Sequence, residues 1–221
     1  MMAHAGVGER TVEAYRRAVE IAREARDRAG GGRPIAVAGS ISTMRPNVPG
    51  TDRRDASLEL TPGQAAPNYR EAAETMAEAG ADLLLLEMIG DLKHGIAAFD
   101  AAKGTGLPVW VGLTLRQDAD GRIRSFHDDG PPLEELVDAY RDRGAGAIGI
   151  MHTSMPDTFV LIGSNGPRPC FFSAADCFFA CCTRLRQAAT LGGSRGWNFS
   201  RTAPHSTSRI SFPASRLRFA M

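Results

Sequence analysis

Four polar residues stand near the ends of short apolar segments and could carry chemistry. Glu87 follows four leucines, Thr114 follows VWVGL, and His152 follows AIGIM. Ser40 lies near the end of the apolar segment PIAVAGSI. If these segments are parallel strands, the four side chains meet at the carboxyl ends of the strands, where parallel α/β folds place their active sites. The sequence therefore predicts a polar site at one edge of a sheet.

Glu87 is the strongest candidate because its strand is otherwise apolar. Burying a carboxylate costs several kcal/mol unless the charge is paired. A carboxylate at a strand end can bind an ammonium group or act as a general base. A structural role is the alternative: the side chain would then turn to solvent, or pair with a nearby cation such as Arg116.

His152 is the second candidate, since imidazole can ligate a metal ion or transfer protons. We interpret His152 as a candidate metal ligand, with an ordinary hydrogen-bonded histidine as the alternative. Ser40 and Thr114 have the matching positions on their own strands. Together with Glu87 they are the candidate substrate-binding residues.

Three other groups of residues are expected to have no catalytic role. His127 with Asp128 and Asp129 follows a hairpin and is interpreted as a solvated charge cluster. The sequence DADG at 118–121 lacks the later ligands of a calcium loop, so it predicts a turn. All four cysteines lie beyond residue 163, and their spacing fits no zinc pattern, so we expect them to be incidental: Cys170, Cys177, Cys181 and Cys182.

Alternating helix and strand patterns must position the four candidates. Apolar residues at helical spacing indicate helices, and short apolar runs indicate strands. Asn68 with Glu71 predicts a capping box at the start of the second helix, and Asp91 predicts the cap of the third. Helices are predicted from residues 11, 68, 91 and 132, strands at Pro34–Ile41, Asp82–Ile89, Pro108–Leu115 and Ala147–Met151, and a hairpin at Leu113–Gln117 and Arg122–Phe126.

This alternation predicts parallel βαβ units with right-handed crossovers. A doubly wound sheet and a (β/α)8 barrel both fit such units. The barrel is favoured because no GxGxxG turn follows the first strand and no GxxxxGK[ST] motif occurs. We therefore predict an α/β fold, a partial (β/α)8 TIM-like barrel over residues 1–162 with parallel strands, followed by an irregular C-terminal tail.

The chain changes character near Gly163. Residues 1–162 contain 24 acidic and 18 basic residues, whereas residues 163–221 contain eight arginines, no lysine and one acid, Asp176. The tail shows no helix or strand period, so we predict a compositionally distinct region that is disordered or encoded in a shifted reading frame. Its arginines could contact phosphates. No recognised motif accompanies them, and nucleic acid is not an expected partner.

Membrane and secretion signals are not expected either. No apolar run reaches the roughly 20 residues of a membrane span, since the nearest one, Cys170–Cys182, is short and contains Asp176. Residues 1–10 lack the apolar core of a signal peptide. We therefore expect a cytoplasmic protein without a membrane partner.

Five segments between Thr11 and Thr158 carry a family resemblance when taken together. They are VEAYRRAVEIAREA, PIAVAGSIS, EAAETMAEAGADLLLLEMI, PVWVGLTLRQDADGRI and AGAIGIMHTSMPD. The combination resembles the homocysteine S-methyltransferase family. The resemblance implies a homocysteine-binding (β/α)8 barrel over residues 1–162, in which Glu87 matches the glutamate that holds the amino group of homocysteine.

The resemblance also implies a cofactor, because the family binds zinc through three cysteines. This zinc binds the substrate thiol as a thiolate. His152 stands where the family has the first of those cysteines, so the resemblance makes it the candidate zinc ligand. The other two family cysteines are adjacent and follow two glycines. Cys181 and Cys182 are adjacent but follow Phe179 and Ala180, about 30 residues after His152, and we interpret this pair as coincidence.

Three functions remain open from the sequence. The first is methyl transfer to a small thiol amino acid such as homocysteine, whose partners would be that substrate and a methyl donor. The second is a truncated, non-catalytic relative, or a metal-independent member with another reaction. The third is an unrelated hydrolase or isomerase that uses Glu87 as base and His152 as acid. The methyl donor and the oligomeric state are left open.

Overall fold

The computed structural model describes residues 8–43, 45–51, 55–127 and 130–154, together with the backbone of four segments, 170–174, 177–181, 210–212 and 215–220. After a short 3-10 turn at Gly8–Arg10, helices and strands alternate along the main part of the chain. These elements are α1 Thr11–Ala29, β1 Ile35–Ser42, α2 Pro62–Glu78, β2 Leu83–Ile89, α3 Leu92–Lys103, β3 Val109–Leu113, β4 Leu115–Gln117, β5 Ile123–Ser125, α4 Leu133–Asp142 and β6 Ala147–Ile150.

Four strands, in the order β1-β2-β3-β6, form the parallel part of the sheet. β4 and β5 form the separate antiparallel hairpin that the sequence predicted. The parallel order follows the chain order, as expected for successive βαβ units. These strands and four helices confirm the mixed α/β prediction and are consistent with a partial (β/α)8 barrel.

The two faces of the parallel sheet differ in their packing. One face carries alternate residues such as Leu84 and Leu86, which are fully buried in the main core with side chains from the helices. The other face carries Leu83, Leu85 and Met151, which form a second small cluster with Trp110. The period of two in β2 therefore gives each face its own apolar residues.

Four short strands from the tail lie at the two sides of this sheet: β7 Cys170–Ala174, β8 Cys177–Cys181, β9 Ile210–Phe212 and β10 Ser215–Ala220. β8 pairs antiparallel with β6, and β10 pairs parallel with β1. The absence of a strand period in the tail gave no indication of these segments. The remaining residues of 163–221 lie outside the described part, so a disordered or frameshifted tail domain stays a prediction.

The start of α2 corrects one sequence prediction. Thr61, not Asn68, caps this helix: its hydroxyl accepts a hydrogen bond from the Gln64 amide at 3.3 Å, and the Gln64 side chain accepts one from the Thr61 amide at 2.9 Å. Pro67 lies inside the helix, although its missing N–H made it the natural boundary for a sequence-based prediction. Glu71 is therefore an ordinary helical residue.

The two possible caps can be separated by mutation. Thr61→Ala is expected to lower the free energy of unfolding by about 1 kcal/mol, because it removes a capping side chain. Asn68→Ala, the matched control on the same helix, is expected to change it by less than about 0.5 kcal/mol. Urea denaturation of both variants provides the measurement, and a larger loss for Asn68→Ala would contradict the observed cap.

No helix among the described residues is both long and apolar enough to cross a membrane.

Candidate functional site

The four candidate residues lie along the carboxyl-terminal edge of the parallel strands. Ser40 lies near the end of β1 and Glu87 near the end of β2, while Thr114 and His152 follow β3 and β6. Because neighbouring strands are about 4.8 Å apart and β3 separates β2 from β6, the backbones of Glu87 and His152 lie on the order of 10 Å apart. The structure therefore brings all four residues to one edge, as the sequence predicted.

Glu87 lies on the sheet face that points away from the helices, if the alternation of β2 is followed from Leu83 and Leu85. Its Cα partner on β1 is Ser42, and Ser40 pairs with Leu85 one step earlier. The Glu87 side chain is half-buried, whereas Ser40 is exposed. Glu87 forms no hydrogen bond or ion pair with another described residue, so the structure shows no pairing of its carboxylate with Arg116 in this part of the chain.

The backbone at this edge is irregular in two places. Within the described residues, Met88 and His152 are the non-glycine residues with positive φ, at 56° and 48°. The β2–β3 register shifts between Leu86 and Ile89, so the irregularity in β2 includes Glu87 itself. A left-handed backbone costs a non-glycine residue on the order of 1–3 kcal/mol and is concentrated at functional sites.

Met88 and Met151 connect the ends of β2 and β6 across the end of β3. The Met88 amide donates to the Met151 sulfur at 3.3 Å. The Thr153 hydroxyl accepts from the Leu115 amide at 3.0 Å and donates to the Met151 carbonyl at 3.2 Å. These contacts fix the segments on either side of Thr114.

Thr114 is the unusual member of this group. Its side chain is buried, at 8% exposure, and its hydroxyl has no hydrogen-bond partner among the described residues. Most buried polar groups in proteins are hydrogen-bonded. An unpartnered hydroxyl at the end of a barrel-type strand is therefore consistent with the substrate-binding position that the sequence predicted.

A second polar group lies on the helix side of the same edge and was missed by the sequence analysis. Arg45 donates to Glu59 at 2.6 Å from Nη2 and 2.8 Å from Nε, and to Asp91 at 2.9 Å from Nη1. The other Asp91 oxygen accepts from the His94 amide at 2.7 Å, which confirms the predicted cap of α3. His94 Nε2 lies 3.3 Å from Glu59 Oε1.

Tyr69 completes this group from α2. Its hydroxyl donates to the Thr43 carbonyl at 2.6 Å and lies 3.0 Å from His94 Nδ1. Because a carbonyl can only accept, the Tyr69 proton is assigned to Thr43, and His94 Nδ1 then donates to the Tyr69 oxygen. Burial raises the pKa of Tyr69, and the nearby carboxylates of Asp91 and Glu59 raise it further. Tyr69 is therefore held as a neutral hydrogen-bonding group.

A surface cleft of about 740 Å³ lies beside this group, next to the first turns of α2, α3 and α4. Its lining carries charges of both signs, which include Lys93, Arg124, Glu59 and Glu135. None of the four candidates from the sequence lines it. Among the residues of this region, only Asp91 was indicated by the sequence, as a helix cap. The long loop that carries Arg45 and Glu59 has no periodic pattern from which side-chain pairing could be predicted.

The remaining sequence predictions have mixed outcomes. The DADG turn is confirmed: Asp118 accepts from the amides of Asp120 and Arg122 at 3.0 and 2.9 Å. The hydrogen bond from the Arg122 amide is the main cause that lowers the pKa of Asp118. The His127 amide donates to the Ser125 hydroxyl at 3.2 Å. Asp128 and Asp129 lie outside the described residues, so the solvated cluster stays a prediction.

The described residues do not fit a zinc site. They contain no group of three His, Cys, Asp or Glu residues that could hold a metal ion. A zinc site needs at least three protein ligands, and the described part of the chain does not bring three together. Cys182 and the side chain of Cys181 lie outside the described residues, so the metal role of His152 remains a sequence-based expectation.

Comparison with known proteins gives an independent result. The family model described as Homocysteine S-methyltransferase matches residues 1–161 of the 221-residue chain. A search of curated proteins finds no significant match. The matched residues include the four parallel strands β1, β2, β3 and β6 and all four candidate residues. Because this match covers well over half of the sequence, the chain belongs to the homocysteine S-methyltransferase family.

Proposed function

We propose that this chain binds a small thiol amino acid, such as homocysteine, and supports transfer of a methyl group to its sulfur. The observation that carries the proposal is the half-buried Glu87 carboxylate, which has no partner among the described residues. A partly desolvated carboxylate gains most from a ligand that supplies an opposite charge and hydrogen-bond donors. The ammonium group of an amino acid supplies both.

The separation of Glu87 and His152 supports an amino acid of this length. The nitrogen and sulfur of an extended homocysteine are roughly 5 Å apart, if standard bond lengths are used. With a contact of about 3 Å at each end, such a ligand fits between two side chains that extend in parallel from backbones on the order of 10 Å apart. The ammonium group would then contact Glu87, and the thiol would lie near His152.

In this arrangement the imidazole of His152 takes the thiol proton, and the resulting thiolate attacks a methyl group on a sulfonium or ammonium donor. The S–H bond and the donor's bond to its methyl group break, a new S–CH₃ bond forms, and the donor leaves with the electron pair of its broken bond. Ser40, which is exposed near the end of β1, would contact the ligand through its hydroxyl. No step passes through zinc, because the described residues do not supply its ligands.

A binding protein without turnover is the second proposal. The second proposal is favoured by His152. The family resemblance implies a zinc-binding cysteine at the end of β6, and this chain has an imidazole there instead. Incubation with L-homocysteine and either S-methylmethionine or betaine, followed by detection of methionine, separates the two. Methionine that is formed with wild-type protein and lost in His152→Ala favours catalysis, whereas binding of L-homocysteine without methionine favours the second proposal.

Glu87→Gln tests the ammonium contact directly. The substitution keeps the shape of the side chain but removes its charge, so we expect the dissociation constant for L-homocysteine to rise more than about tenfold. Isothermal titration calorimetry under reducing conditions provides the measurement. Glu134→Gln, an exposed glutamate on α4, is the matched control and should bind as the wild type does. Equal affinities for Glu87→Gln and the wild type would overturn the proposal.

A further inference from the structure

His94 on α3 is a buried titratable group that the proposed function does not use. Its side chain is 7% exposed, and its two ring nitrogens face different partners. Nδ1 lies 3.0 Å from the Tyr69 hydroxyl oxygen, and Nε2 lies 3.3 Å from Glu59 Oε1. The protonation of the ring therefore follows from what each partner can donate or accept.

Both partners of His94 are acceptors. The Tyr69 hydroxyl has a single proton, which it donates to the Thr43 carbonyl at 2.6 Å, so it offers Nδ1 only a lone pair. Oε1 of Glu59 accepts from Nη2 and Nε of Arg45 at 2.6 and 2.8 Å, so it is an acceptor toward Nε2 as well. A neutral imidazole has one N–H and can satisfy only one of these two acceptors.

The charges around His94 also favour a doubly protonated ring. Glu59 and Asp91 contribute two negative charges, whereas Arg45 contributes one positive charge. A proton on His94 balances the remaining negative charge. Burial acts in the opposite direction, because desolvation disfavours a charged imidazole. A neutral ring, however, would direct a lone pair at an acceptor inside the protein, so the charged form fits the contacts.

Charged or titratable groups from the other elements around His94 do not change this assignment. Within the described part of the chain, the charged ones are at least partly exposed, so water screens them, and they include both signs. The tyrosine among them is neutral because burial raises its pKa. These groups are Lys93 on α3, Tyr140 and Glu135 on α4, and Arg124 on β5.

We propose that His94 carries a proton on both ring nitrogens at neutral pH, and that this charged ring connects the loop between β1 and α2 to both neighbouring helices. The loop contributes Thr43 and Glu59, while Tyr69 belongs to α2 and His94 to α3. Loss of the proton at alkaline pH leaves the ring with one N–H, so either Tyr69 or Glu59 loses its donor. This pH-sensitive link beside the cleft does not depend on the proposed function.

Nitrogen NMR of the full chain, with isotope-labelled histidine, tests the protonation directly. The measurement is made at about pH 7.5, one unit above the value at which a histidine in an unfolded chain loses its proton. Both ring nitrogens of His94 are expected to have the chemical shifts of protonated nitrogens. The signals are assigned through bonds to the backbone, so this test needs no variant. The shift of an unprotonated nitrogen at either position would overturn the proposal.

Tyr69→Phe separates the hydrogen-bond argument from a purely electrostatic one. The substitution removes an uncharged acceptor and leaves both carboxylates in place, yet we expect His94 to bind its second proton about tenfold more weakly. Glu59→Gln, which removes a charge, should weaken proton binding at least as much. Glu134→Gln, an exposed glutamate on α4, is the matched control. The proposal is wrong if Tyr69→Phe titrates as the wild type does, or if Glu134→Gln has an equal effect.

Protein stability provides a second measurement with a defined sign. The unfolded chain releases the histidine proton near about pH 6.5, whereas the folded chain keeps it on His94. The contribution of the charged ring is therefore complete below this pH and is lost as the pH rises further. The midpoint urea concentration should fall with rising pH in the wild type, less in Tyr69→Phe and least in His94→Gln. A fall of equal size in all three would contradict the link.

Discussion

Arg45→Met is expected to lower the free energy of unfolding by about 2 kcal/mol, because it leaves the Glu59 and Asp91 carboxylates without their shared cation. Removal of one partner from a fully buried ion pair costs about 3–5 kcal/mol. The expected loss is smaller here because the Glu59 and Asp91 side chains remain 21% and 18% exposed. Methionine retains much of the apolar stem of arginine, so most of the decrease in the free energy of unfolding results from the missing positive charge.

The control for this prediction is Arg17→Met on α1. Arg17 also contacts two carboxylates, those of Glu20 and Glu24, at 3.3 and 2.9 Å, but its side chain is 54% exposed. Exposed pairs contribute little, so Arg17→Met should lower the free energy of unfolding much less than Arg45→Met does. Urea denaturation at neutral pH compares the two variants. Similar losses for both would show that the Arg45 group is no more than a surface network.

The Arg45 group also bears on Glu87, because it fixes the segment that follows β2. Asp91 is bound by Arg45 on its side chain and by the Tyr140 hydroxyl on its carbonyl, at 2.9 and 3.3 Å. The Gly90 carbonyl accepts a short hydrogen bond from the Ser125 hydroxyl. Three elements therefore hold the residues immediately after Met88. We expect this support to keep the irregular end of β2, and with it Glu87, in one conformation.

The sequence predicted the parts of this fold that depend on local pattern. The apolar runs around Leu84 and Val111 identified their strands, because a strand covered on both faces is apolar over its whole length. Asp91 identified the start of α3, since an N-cap needs a short side chain that accepts from the backbone. The shared edge of Glu87, Thr114 and His152 followed from the parallel arrangement alone.

Other features depend on contacts between distant residues and could not be predicted in this way. Arg45, Glu59 and His94 meet through the folding of a long loop back onto α3, for which no short-range pattern exists. The sequence analysis placed the start of α2 at Asn68 and so missed its true start, although Thr61, Pro62 and Gln64 form a complete start signal. The sequence did not indicate the left-handed backbone of Met88, because the residues around it have the apolar pattern of a regular strand.

Gly95→Ala is expected to lower the free energy of unfolding by roughly 2 kcal/mol, although alanine is the better helix former by about 1 kcal/mol. Gly95 lies in α3 where α4 approaches closely. A Cβ at this position would overlap the Tyr140 hydroxyl and lie 2.9 Å from the Ile89 side chain. Overpacking of this kind costs about 1–3 kcal/mol or more, since a buried ring and a strand residue must both shift.

A double-mutant cycle identifies the overlap with Tyr140 as the cause. Tyr140→Phe removes the hydroxyl and its hydrogen bond to the Asp91 carbonyl, which alone should cost about 1 kcal/mol. The combination of Gly95→Ala and Tyr140→Phe should then be at least about 1 kcal/mol more stable than the sum of the two single losses predicts. Additive losses would place the strain elsewhere.

The control for Gly95→Ala is Gly63→Ala, in the first turn of α2. A Cβ at Gly63 would meet no atom within 4 Å, and this position is already helical. Alanine restricts the unfolded chain, so Gly63→Ala is expected to stabilise the protein by about 0.5 kcal/mol. Opposite signs for the two glycine substitutions, measured by urea denaturation, would show that the contact between α3 and α4 needs a residue without a side chain. That contact positions Tyr140 against Asp91, and through Asp91 it supports the strand end that carries Glu87.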